Sequence, residues 1–71
     1  MYDMQIEVLN HETAAVCRTE HQSWYSLWAA RNYARKIQAC VDVGTVDIID
    51  NETGEVMLSL HKGEVLWDSE G

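Results

Sequence analysis

Seventy-one residues, 46% of them hydrophobic and 24% charged, describe one small α+β domain spanning 1–71 and exclude a disordered or low-complexity chain. A net charge of −7, with five Lys and Arg against twelve Asp and Glu, argues against direct nucleic-acid binding. Such binding is driven by cations that displace counterions from phosphates.

Two segments of the chain repeat one another. Residues 6–17 read IEVLNHETAAVC and residues 46–57 read VDIIDNETGEVM, a shift of forty positions. Ile6, Glu7, Val8, Leu9 and Asn10 align with Val46, Asp47, Ile48, Ile49 and Asp50, and Glu12, Thr13 and Val16 recur as Glu52, Thr53 and Val56. Each copy is two β-type runs around a polar turn, the pattern of a hairpin.

The first hairpin is expected over residues 4–19. With the register of the second copy, Ile6, Val8 and Val16 face inward, and Glu7, Leu9, Ala15 and Cys17 face outward. Ala14 stands where the second copy has Gly54. A left-handed alanine costs roughly 1 kcal/mol, so Ala14→Gly is expected to stabilise the domain.

A helix is expected over residues 20–41. Thr19-Glu20-His21-Gln22 reads as a capping box, with Ser23 as a rival cap, and Gly44 stands past the far end. At 100° per residue, Leu27, Ala30, Ala34, Ile37 and Val41 share one stripe, flanked by Tyr33 and Cys40. Trp24, Trp28, Arg31 and Arg35 fall on a separate strip.

The second hairpin and a terminal strand occupy residues 45–68. Asn51-Glu52-Thr53-Gly54 fits a type I turn with Gly54 left-handed, which pairs Asp50 with Val56, Ile49 with Met57, Ile48 with Leu58 and Val46 with Leu60. One face then carries Val46, Ile48, Val56, Leu58 and Leu60. The other carries Thr45, Asp47, Ile49, Met57 and Ser59. A Lys62-Gly63 loop would turn Val65 and Trp67 inward, a loop that also includes His61 would turn Leu66 inward instead, and the larger burial favours the first. Residues 68–71 are expected to fray.

The order β-β-α-β-β-β implies a single antiparallel sheet of four to five strands with one helix packed on one face. Strand order 2-1-3-4-5 relates the two hairpins by a pseudo-two-fold axis.

Chemistry-bearing motifs are absent. The chain has no GxGxxG, Walker A, HExxH or CxxC, and its serines lie outside any nucleophile elbow. Cys17, Cys40, His11, His21 and His61 are scattered, unlike the close ligand pairs of a structural zinc site. Asp47, Asp50, Glu52 and Glu55 lack the spacing of a calcium loop. No enzyme activity, metal or cofactor is expected. No apolar run approaches the roughly 20 residues of a membrane span, and the first residues lack a secretory signal. A cytoplasmic chain with free thiols is therefore expected.

Two surfaces look uncovered. Trp24, Trp28, Arg31 and Arg35 combine the residue types that dominate protein-binding hot spots, and are the expected site for a protein partner. Leu9, Cys17, Ile49 and Met57 recur on the outer sheet face and are expected to mediate homodimerisation, through that face or along an edge strand. The function expected is a small non-enzymatic protein-interaction or regulatory module that self-associates. The alternative is an acidic decoy that mimics nucleic acid and blocks a basic nucleic-acid-binding protein, as a mobile-element-encoded inhibitor would.

Overall fold

Two loops built from the same hydrogen bonds organise the chain. In the first, the Asn10 N–H donates to Ala15 O at 2.8 Å and the Ala14 N–H to Asn10 O at 2.7 Å. In the second, the Asp50 N–H donates to Glu55 O at 2.9 Å and the Gly54 N–H to Asp50 O at 2.8 Å. The side-chain oxygen of Asn10 accepts from the Glu12 N–H, and that of Asp50 from the Glu52 N–H, both at 2.8 Å. Thr13 and Thr53 each accept from the amide two residues on. Ala14 and Gly54 are both left-handed, at φ 60° and 74°. The alignment of the two segments is thus a shared backbone conformation.

The computed structural model describes residues 1–70. Its elements are β1 (Tyr2–Leu9), β2 (Val16–Trp24), α1 (Leu27–Ile37), β3 (Val43–Asp50), β4 (Val56–His61) and β5 (Glu64–Asp68). The strands form one antiparallel sheet in the order β2-β1-β3-β4-β5, with α1 on one face. The first strands of the two hairpins, β1 and β3, pair at the centre. This is the architecture and strand order expected from the sequence.

The core lies between α1 and the middle of the sheet. Met4, Ile6, Val46, Ile48, Leu58 and Leu60 from the strands meet Ala30 and Ala34 from the helix, all at most 4% exposed. The two alanines carry no bulk beyond Cβ, so the helix backbone can approach the sheet closely. Leu27, Tyr33 and Ile37 pack around them as the helical stripe requires.

The helix is shorter than expected, 11 residues, and begins at a different cap. Ser26, and neither Thr19 nor Ser23, is the N-cap; its Oγ accepts from the Ala29 N–H at 3.2 Å. Residues 19–22 instead continue β2. A cap is worth about 1 kcal/mol. Here it competes with a run of strand pairs that is unbroken from Tyr2–Trp24 to Val8–Arg18. The long-range ladder wins. At the other end Gln38 caps the helix, so Cys40 and Val41 are exposed and lie outside the core.

Each loop is one residue longer than a type I turn with a G1 bulge, because Asn10 and Asp50 start it with their side chains. The extra residue appears as a bulge. Val46–Leu60 and Ile48–Leu58 pair as expected, but Ile49 then pairs with Val56 and leaves Met57 unpaired. Met57 accordingly packs against the core, whereas Val56 turns outward with Ile49. In the first hairpin Val8 pairs with Arg18 and Leu9 with Val16, which leaves Cys17 as the unpaired residue.

The last hairpin has the expected Lys62-Gly63 loop, with φ of 52° and 83° and His61 closing on Glu64. A bulge at Leu66 follows, since Leu60 pairs with Val65 and Ser59 with Trp67. Trp67 therefore lies on the outer face, contrary to the inward placement expected. Asp68 pairs with Leu58 and lies on the helix side. It is held there by Arg31, so this residue does not fray; Gly71 lies outside the described residues.

Candidate docking surface

Because α1 covers only one face of the sheet, the other face is built by the remaining alternate residues. Across its middle run the register pairs Gln5–Asp47, Asp47–Ser59 and Ser59–Trp67, with Asp3–Ile49 and Ile49–Val56 beside them. Near the second hairpin this face opens into a cleft of about 460 Å³, lined by Asp47, Ile49, Glu55, Val56, Ser59 and Trp67.

The apolar floor of the cleft exists because of the two bulges. One turns Val56 outward and the other turns Trp67 outward, and both then stand next to Ile49. The Trp67 indole N–H donates to Val56 O at 2.8 Å, which fixes the ring across the start of β4 while leaving it 54% exposed. The Ser59 hydroxyl donates to Asp47 Oδ1 at 2.5 Å, satisfying the polar side of the cleft. Two carboxylates, Asp47 and Glu55, border the apolar group. An aromatic anchor, two aliphatic neighbours and an acidic rim make a surface suited to an apolar side chain flanked by a cation.

The strip expected from Trp24, Trp28, Arg31 and Arg35 is divided in the structure. Trp24 ends β2 and packs against the core, with its ring 5.2 Å from that of Tyr33 at an interplanar angle of 38°. Arg31 is only 13% exposed at its side chain and makes two hydrogen bonds to the Asp68 carboxylate, at 2.8 and 2.7 Å. Arg35 approaches Asp68 at 3.8 Å and keeps half of its side chain exposed. Trp28 alone stands in the open, at 75% exposure.

The Arg31–Asp68 pair joins the middle of the helix to the last strand. The hydrogen bonds from Arg31, then that from the Glu70 N–H, hold the Asp68 carboxyl at about 2, below its ordinary value of 3.8. The same hydrogen bonds raise the Arg31 guanidinium, against a smaller opposing effect of burial. A planar guanidinium matched to a carboxylate is a geometry that lysine would not reproduce.

The residues expected to mediate self-association also separate. Leu9 is 8% exposed and lies over Gly44, where a Cβ would stand 3.1 Å from its Cδ2. Met57 belongs to the core side, as described. Ile49 lines the cleft, and Cys17 is exposed on β2. Sequence reasoning assigned Val56 and Trp67 to the core and so missed two of the three apolar cleft residues. The signal that could have revealed Val56 was present in both copies: Asn10 and Asp50, which start their turns one residue early.

Among the described residues no three His, Cys, Asp or Glu side chains gather where a metal could be shared, and no helix is long and apolar enough to cross a membrane. The chain matches no family model, no curated protein and no solved structure in the comparisons made. Any functional reading therefore rests on the residues themselves.

Proposed function

We propose that the chain is a small interaction module, without catalytic activity of its own, that docks another protein onto the face of the sheet opposite its helix. The observation that carries this reading is the cleft formed by Ile49, Val56 and Trp67. A domain of this size has few large apolar side chains, and it leaves a tryptophan half exposed on a face it does not cover. Exposed aromatic groups in a concave setting with a polar rim are the usual anchors of protein recognition. Asp47 and Glu55 favour a partner segment that carries Lys or Arg beside an apolar residue.

The decoy reading has less behind it. β1 and β3 are antiparallel neighbours, with Tyr2 paired to Asp50, so the two acidic loops lie at opposite ends of the sheet. Glu12 and Glu52 thus do not join into one row of charges of the kind a phosphate backbone presents.

The test is capture from the native host with three baits. Wild type and Trp28→Ala should retain the same partner, and Trp67→Ala should lose it. Equal capture by all three baits would refute the assignment of the cleft.

A further inference from the structure

The two ends of the sheet differ in how they treat their unpaired backbone. An edge strand is a template for another strand unless proline, a bulge or charges that the incoming strand would leave unmatched guard it. At one end, β5 has five residues interrupted by the bulge at Leu66. A second copy paired antiparallel about Leu66 would also set Glu64 against Asp68. At the other end, β2 is nine residues long, contains no proline and pairs with β1 without a break from Arg18 to Trp24. From Val16 to His21 every residue of it is exposed.

We propose that β2 is the seam of a homodimer, in which two copies join antiparallel about a two-fold axis through Thr19. The proposal rests on reading the chain as an interaction module and adds a second copy of the chain as a partner, at a surface separate from the cleft.

The choice of axis follows from charge. When two identical strands pair antiparallel about a two-fold axis, one residue faces itself, and residues equally distant from it on either side face each other. An axis through Arg18 or Glu20 would oppose like charges at the centre. One through His21 would set Glu20 against Gln22 and Arg18 against Trp24. The axis through Thr19 sets Arg18 of each copy against Glu20 of the other, twice, around a central Thr–Thr pair. Both kinds of pair are favourable across strands.

Arg18 and Glu20 already lie on one side of the strand, bonded to each other at 3.0 Å with their side chains 63% and 46% exposed. In the dimer these four charges would alternate around the axis. The axis stands perpendicular to the sheet, so both helices stay on one face and both clefts open on the other. Three strands separate β2 from β5, so the seam leaves each cleft free.

Sedimentation equilibrium of the full chain and three variants tests this, with circular dichroism to verify folding. Both side chains are exposed on an edge, so their exchange should leave the fold intact. Wild type should be dimeric at micromolar to submillimolar concentration. Arg18→Glu and Glu20→Arg should each raise the dissociation constant roughly tenfold or more, because attraction across the seam becomes repulsion. The double variant Arg18→Glu with Glu20→Arg should restore the dimer. A monomeric wild type, a single variant that dimerises as well as wild type, or a double variant that stays monomeric would overturn the proposal. Failure of the cleft reading would show instead as unchanged capture by Trp67→Ala with the dimer intact.

Discussion

Replacing Ala14 by glycine should make the domain more stable. Ala14 sits at φ 60°, in the position that Gly54 fills at φ 74° in the matching loop. The left-handed conformation brings Cβ against the following carbonyl and costs a non-glycine residue roughly 1–2 kcal/mol. Glycine removes that cost but gives back roughly 0.5–1 kcal/mol, because it gains more freedom in the unfolded chain. The expected net gain is about 0.5–1 kcal/mol. In a domain of this size that raises Tm by about 2–8 °C. Thermal denaturation followed by circular dichroism reads the change directly. The reciprocal Gly54→Ala should lower Tm by a similar amount, since nothing in the structure approaches the position its Cβ would occupy and only the backbone opposes it. The two loops lie at opposite ends of the sheet, so the double variant should return close to wild type. A fall in Tm for Ala14→Gly would refute the argument.

Other consequences follow from the same contacts. Asp68→Asn should lower Tm, and Arg31→Lys should rescue little of what Arg31→Ala loses, since the paired hydrogen bonds need a guanidinium. Asp68 has a folded-state value of about 2, below its ordinary 3.8, so it stabilises the fold above about pH 4. That contribution should be lost as pH falls from about 4 through 2, and Asp68→Asn should show a flatter acid limb in a pH series of melts. Trp24→Ala should cost roughly 2–3 kcal/mol, less than a fully buried tryptophan, whereas Trp28→Ala should stay within about 0.5 kcal/mol by urea denaturation. Partner capture that survives high salt would favour an apolar anchor at Trp67, whereas a steep loss with salt would point to the acidic decoy.

Much of the fold can be read from periodicity and from the repeat. Alternation across residues 45–50 and 56–60 identified Val46, Ile48, Leu58 and Leu60 as core, and the helical spacing identified Leu27, Ala30, Ala34 and Ile37. The Lys62-Gly63 loop is the one that burial of the larger side chains favours, although the bulge at Leu66 then sends Trp67 to the outer face. What could not be read was where alternation breaks. A bulge shifts every later residue to the other face, and the bulges at Met57 and Leu66 are what bring Val56 and Trp67 beside Ile49. The same difficulty affected residues 19–22. Their local pattern caps a helix, yet the strand that claims them is β1, whose paired residues lie 12 to 18 positions earlier. Arg31 illustrates it again, because the partner that removes it from the surface is 37 residues away. The candidate site was therefore less legible than the fold, since it lies where local rules give way to distant contacts.

The central claim is that the face away from the helix receives a partner. A photoreactive residue placed at Ile49 and, in a second chain, at Lys36 on the exposed part of the helix would test it in the native host. Irradiation should yield a partner adduct from position 49 and none from position 36. An adduct from position 36 alone, or from neither position, would contradict the account.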